Sequence, residues 1–363
     1  MASNFFGSIF RFSTFGESHG KLIGVLIDGC PAGYKLNLEF IQHQLNRRKP
    51  SSSQSSTARK EDDIAEVLSG VHQGISTGAP LCIVVQNKDA RPVEYESIRT
   101  SFRPSHADYT YYKKYGTLLS SGAGRASARE TLARVIAGAI AQDILQQAKI
   151  SIQAYVSSIG KVKLRLGYHQ IDLNQVDQYE LKCPHKDTHE RMLEHLEDLK
   201  KLGDSTGGII TCIIKNCPAG LGEPIYSKLD AELAYAMMGI NAVHGFEYGS
   251  GFAGSALKGS ENNDAYVVRD NEVSTTSNNA GGILGGISTG MDIYFNVAFK
   301  PVSSIAIRQE TVNVQLEQSE ISVNGRHDVC VVPRAVPVVE SMAAVVILNA
   351  MLQNKSSRVD TIF

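Results

Sequence analysis

Four short segments carry the residue types that acid–base and anion chemistry require. The first is GESHG at residues 16–20, where His19 sits between small residues on a glycine-rich turn. A histidine in that setting is read as exposed and free to act as a proton donor near neutral pH. The second is RPSHAD at 103–108, in which Arg103, His106 and Asp108 fall within six residues of a proline turn. The third is GAGRASARET at 122–131, a glycine turn leading into a helix. Free amides at a helix start, with Arg125 and Arg129 beside them, make a phosphate site. The fourth is GRHD at 325–328 followed by VVPR at 331–334, where a turn again precedes a helix and places Asp328 and Arg334 close together in sequence. Taken singly, each has a plain alternative: a turn histidine with no task, or a capped helix with solvated arginines.

Several other patterns are set aside. GESHG also satisfies G-x-S-x-G, the nucleophile elbow of serine hydrolases, but that elbow needs a buried central strand before it, and 12–15 (FSTF) is a poor candidate for one. A fluorophosphonate label on Ser18 would discriminate the two readings. GSGFAG at 249–254 fits G-x-G-x-x-G, yet no apolar helix follows it. Cys183, His185 and His189 have metal-like spacing but lack a fourth ligand, so they read as a surface cluster and no metal is expected.

The elements that must position these groups show an internal echo. GVLIDGCPAG at 24–33 resembles TCIIKNCPAG at 211–220, and GISTG at 74–78 recurs at 286–290. Each pair is followed by an arginine-bearing turn and an apolar helix, at 127–146 and 337–352. The shared order points to a tandem repeat, approximately 1–150 and 205–352, within one domain spanning 1–363. Ser127 and Glu130 fit a capping box, and Leu132, Val135, Ile136, Ala139 and Ile140 form one buried stripe. Pro337 reads as the first turn of a second helix that is apolar nearly all round. Such a helix needs cover on several sides, which two sheets enclosing central helices would supply. Residues 170–203 are charged and read as a surface insertion. The serine-rich stretch from Arg47 to Asp63 reads as a solvated loop or as a lid bringing cations to an anionic substrate.

Composition sets the bounds. The chain has 363 residues, 42% hydrophobic and 20% charged, with a formal net charge of −1. That balance argues against a field that would draw in nucleic acid or an anionic membrane. Six cysteines without a C-x-x-C pair suggest reduced, buried thiols and a cytoplasmic setting. The apolar run from Ala335 contains Glu340 and Asn349 and reads as a buried helix rather than a membrane span.

Together, GESHG, RPSHAD, GRASARET, the Asn241-Ala242 segment, NNAGGILGGIST, KPVSS and GRHDVCVVPRAVPVVE, in that order, closely resemble the chorismate synthase family over nearly the whole chain. The resemblance implies an α+β fold, a β/α/β sandwich built from a duplication, and a homotetramer. It implies an anti-1,4-elimination of phosphate from 5-enolpyruvylshikimate 3-phosphate to give chorismate, with reduced FMN and no net redox change. The flavin's electrons would come from NADPH or from an outside reductase. Carried over residue by residue, catalytic roles fall on His19, His106 and Asp328. Flavin contacts fall on Arg125, Ala126, Ser127, Asn241, Ala242, Gly285, Lys300, Pro301, Val302, Ser303, Ser304 and Arg326. Ser18, Arg48, Arg103, Arg129 and Arg334 are assigned to the substrate. The chain departs from the family pattern at Gln54, Ala126 and His244, with Arg59 or Lys60 as substitutes for the cation missing at Gln54.

Overall fold

The computed structural model describes residues 4–50, 61–88, 100–117, 124–269, 271–323 and 328–361. Gln54, Arg59, Lys60 and Arg326 lie outside the described residues, as do most of the serine-rich stretch and most of GRHD.

In the first half, β1 (Phe5–Phe6), β2 (Arg11–Gly16), β3 (Leu22–Asp28) and α1 (Leu38–Arg48) precede β4 (Glu66–Ser69), the small hairpin β5 (Val71–His72) and β6 (Ile75–Ser76), and β7 (Leu81–Gln86). After α2 (Asp108–Tyr115) comes the buried helix α3 (Thr131–Gln147). The second half opens with β8 (Ser151–Ile159) and β9 (Val162–Lys163), then α4 (Lys186–Leu202), β10 (Gly208–Lys215), α5 (Leu229–Met238) and β11 (Val243–Tyr248). Short helices α6 (Gly251–Gly254) and α7 (Gly259–Asn262) follow, with the hairpin β12 (Tyr266–Arg269) and β13 (Glu272–Thr275). Next come the hairpin β14 (Ile283–Leu284) and β15 (Ile287–Ser288), β16 (Ile293–Phe299), the hairpin β17 (Gln309–Val312) and β18 (Gln318–Ile321), and α8 (Val332–Asn354).

Two antiparallel five-stranded sheets result, in the orders β1-β2-β3-β7-β4 and β11-β16-β10-β8-β9. Within them the run β2-β3-β7-β4 corresponds to β8-β10-β16-β11. Helices α1, α3, α5 and α8 pack between the sheets, so the fold is α+β with a β/α/β layering. Leu132, Val135, Ile136, Ala139 and Ile140 are fully buried, as their spacing requires. The central helices approach most closely where Gly138 faces Ser341: a Cβ on Gly138 would lie 2.1 Å from the Ser341 Cβ.

The echoed motifs make matching hydrogen bonds. Ser76 Oγ donates to the Pro31 carbonyl at 2.6 Å, and Ser288 Oγ donates to the Pro218 carbonyl at 2.6 Å. The same hydroxyls accept from Tyr34 N and Leu221 N, each at 2.9 Å. Each hairpin is thus stitched to the CPAG turn of its own half.

Four local expectations change. Helix α8 begins at Val332, with Pro333 in its first turn and Pro337 in its interior, so the start moves back and takes in Arg334. Ser127 accepts only from Arg129 N, while Glu130 turns away to Thr14 and Arg134; the capping box does not form because Glu130 has better partners. FSTF is part of β2, an internal strand with Phe12 and Thr14 buried; its alternation turns these two inward, a period-2 signal its short polar residues obscure. Finally, residues 170–203 are not all surface. Cys183 is fully buried, and α4 buries His189, Met192 and Leu196 on one face, while His185 caps its start by accepting from Thr188 N at 3.3 Å.

Candidate active site

The GESHG turn joins β2 to β3, two strands paired in register from Arg11↔Asp28 to Gly16↔Ile23. A strand follows where a nucleophile elbow would need a helix, and Ser18 is 3% exposed, so the hydrolase reading loses its geometry. His19 is half-buried rather than exposed. Gly16 takes φ of 86°, and a Cβ there would meet the Leu22 carbonyl oxygen at 2.2 Å, which fixes glycine at the mouth of the turn.

Asn87, just past the end of β7, closes this turn. Its Nδ2 donates to the carbonyls of Glu17 at 3.0 Å and Gly20 at 2.8 Å, and its Oδ1 accepts from Arg129 Nε at 2.7 Å. Arg129, buried in the short 3-10 turn before α3, also pairs with Glu61 and with Asp63 at 3.0 Å. Asp63 pairs in turn with Arg48, the last residue of α1, at 3.0 Å. Burial, with Arg334 and Arg129 nearby, pulls the Arg48 guanidinium down to about 10 against the opposing pull of Asp63, still protonated at neutral pH. Arg334, in the first turn of α8, pairs with Asp328 and donates to the Arg48 carbonyl at 3.4 Å. Residues distant in sequence therefore form one chain of contacts from Asp328 to the His19 turn.

A second branch begins at Arg125, which donates to the Gly16 carbonyl at 3.3 Å and to Thr14 Oγ1 at 2.7 Å. The adjoining Ala126 carbonyl accepts from Asn241 Nδ2 at 2.9 Å. Ala242 has φ of 68°, an unusual left-handed backbone for a residue with a Cβ, and its carbonyl accepts from Lys300 N at 2.9 Å. The Lys300 ammonium reaches the Ser105 carbonyl in the RPSHAD segment. There Arg103 grips Asp108 with two bonds of 2.7 Å, and His106 Nδ1 lies 2.7 Å from Asp108 Oδ1. Burial would raise the Asp108 carboxyl, but Arg103 and His106 outweigh it and hold the group well below the usual carboxylate range.

Most of the sequence-derived site residues are therefore joined through these two branches. Ser127 lies between them, as the cap of the 3-10 turn. Pro301 to Ser304 continue from Lys300, with the Val302 carbonyl accepting from Ser205 Oγ at 2.7 Å and Ser304 buried. Gly285 takes no part in these hydrogen bonds; it lies at the β14–β15 turn with φ of 60° and open space where a Cβ would be. His244 is exposed on β11. The residues that sequence reading passed over are Asn87, Glu61 and Asp63. The acidic run at 61–63 was a signal, since it ends the arginine-bearing stretch; Asn87 had none. A cavity of about 730 Å³ on the second sheet, lined by Tyr155, Tyr168, Asn278 and Tyr294 among others, holds none of the site residues.

Comparisons with known proteins show the family. The chorismate synthase family profile matches residues 10–352. The chorismate synthase of Cytophaga hutchinsonii is 51% identical over 359 residues, covering 99% of this chain and all of that protein. That of Parabacteroides distasonis is 50% identical, with 97% of this chain and 99% of that protein covered. A crystal structure of chorismate synthase superposes with a TM-score of 0.77 at 30% identity, covering 98% of this chain and 96% of that one. The chain belongs to the chorismate synthase family, carbon–oxygen lyases of the shikimate pathway that serve aromatic amino-acid biosynthesis and need reduced flavin.

Proposed function

We propose that this chain eliminates phosphate from 5-enolpyruvylshikimate 3-phosphate in the 1,4-anti sense to give chorismate, with reduced FMN bound beside the substrate. The observation that carries the reading is the meeting of Arg48, Arg129 and Arg334 with three internal carboxylates next to the His19 turn. Such a set of guanidinium groups, already collected and in Arg48 and Arg129 also desolvated, suits a substrate that carries a phosphate and carboxylates.

The residues present fit a flavin. Asn241 Oδ1 is buried with no hydrogen-bond partner among the described residues, an acceptor suited to a ring N–H. Next to it in the chain is the strained Ala242, whose carbonyl holds Lys300 N. Arg125, Ala126, Ser127, Gly285, Pro301, Val302, Ser303 and Ser304 belong to the same assigned set, as does Arg326, which lies outside the described residues. When bound, the reduced cofactor supplies an electron-rich ring that lends density to the substrate and recovers it. His19 protonates the departing phosphate, and the arginines stabilise the charge it gains. Asp328, steered by Arg334, takes part in proton removal at C6, and His106, oriented by Asp108, balances charge at the flavin's edge. Ser18 and Arg103 line the substrate side.

The single-domain reading over 1–363 with an internal duplication is supported by the matched strand orders and hydrogen bonds of the two halves, although the strand match opens the second repeat at β8 (Ser151–Ile159) rather than near 205. A homotetramer, a cytoplasmic setting and NADPH as a possible electron donor belong to the same reading, on family membership. The test is an anaerobic assay of phosphate release with the purified protein, substrate and dithionite-reduced FMN. Phosphate and chorismate are expected in equal amounts with reduced FMN. Their absence, or equal release with oxidised FMN, would overturn the reading.

A further inference from the structure

One side chain touches both the turn that carries His19 and the arginine cluster. Asn87 spends its whole carboxamide on this: two N–H groups on the carbonyls of Glu17 and Gly20, and its oxygen on Arg129 Nε. Its own backbone N–H donates to the Lys21 carbonyl at 3.0 Å, so the residue is fixed from four directions. The orientation of the amide follows from chemistry, because the carbonyls only accept and the guanidinium only donates. Glu17 and Gly20 bracket Ser18 and His19, so clamping both carbonyls fixes the span between them.

We propose that Asn87 is a positioning residue for the elimination: it holds the His19 turn and Arg129 in one fixed relation, so that the acid and the cation address the same phosphate. The proposal rests on the role of His19 given above. No other common side chain of this size offers two donors and one acceptor in that geometry. Aspartate keeps the contact to Arg129 but sets a carboxylate against two carbonyl oxygens, which releases the turn while leaving the arginine held.

The experiment is a double-mutant cycle on the full chain with reduced FMN, measuring kcat and KM. Asn87→Asp is expected to lower kcat by about 10- to 100-fold, the scale of a misplaced acid, with KM little changed. In a His19→Ala background the same substitution should cost less than about twofold, because the group it positions is gone. A purely structural asparagine would cost the same factor in both backgrounds, and that result overturns the proposal while leaving His19 in its role. A His19→Ala protein that turns over at the parent rate removes the reading of His19, and this proposal with it. Should thermal unfolding show Asn87→Asp unfolded at the assay temperature, the same cycle is run at a lower temperature where it is folded, with the same two outcomes.

Discussion

Arg48 and Asp63 meet at 3.0 Å with side chains 3% and 2% exposed, one at the end of α1 and the other beyond the serine-rich stretch. Removing one partner of such a pair leaves the other buried and uncompensated, at a cost of about 3–5 kcal/mol. Asp63→Asn is the clean probe, because Asp63 has φ of 47° and asparagine accepts that backbone without strain. We expect a loss of that order in urea unfolding, together with weaker substrate binding. Unchanged stability would mean that Arg48 finds another anion.

Acid should act through Asp108. Its carboxyl is held below the usual range in the folded state, so its stabilising contribution is present above the unfolded value near about 3.9 and is lost as pH falls through the folded one. Asp108→Asn is expected to be less stable by about 1.5–3 kcal/mol at pH 7, with the gap to the parent narrowing as pH drops below about 4. Urea titrations at a series of pH values measure this. A gap that stays constant with pH would assign the loss to packing.

Arg125 is tied to Gly16 and Thr14. If it also serves the flavin phosphate, Arg125→Ala weakens FMN by about 1.5–3 kcal/mol and riboflavin far less, as calorimetric titration would read. Equal weakening of both ligands would place its effect on the ring or on the turn.

His19→Ala and Asp328→Asn should each lower turnover by roughly 10²–10⁴-fold. They separate with substrate deuterated at C6: Asp328→Asn should show a larger isotope effect than the parent, and His19→Ala a smaller increase or none. The reverse pattern exchanges the roles, and normal turnover in both variants removes them.

Sequence reading reached the layers for a physical reason, while the site residues came from the family resemblance. The buried stripe of α3 and the paired CPAG and GISTG turns are local patterns whose spacing states their geometry, whereas the glycine-bounded histidine read as exposed is half-buried by the fold. What it missed depends on partners far along the chain. Glu130 has the spacing of a capping box, yet Thr14, far back in the chain, claims one carboxylate oxygen, and the i,i+4 neighbour Arg134 takes the other. Pro337 looks like a helix start, but α8 absorbs it in a fully enclosed interior, where Ser341 Oγ donates to the Pro337 carbonyl at 2.6 Å. Asn87 is an ordinary strand-end residue until the fold brings Arg129 to it.

Tight packing at the helix crossing offers a last prediction. Gly138→Ala would set a methyl group against Ser341 and cost about 1–3 kcal/mol, read as a lower unfolding midpoint. Gly138→Ala paired with Ser341→Gly should recover little of it, because the Ser341 Cα would still lie 2.3 Å from the new methyl group.

That crossing also governs how the molecule can move. Two rods in backbone contact at their midpoints cannot slide or spread without opening a void, and the sheets are bolted to either side of them. Relative movement of the two halves would therefore cost packing at this crossing, which couples the groups that each half contributes to the site.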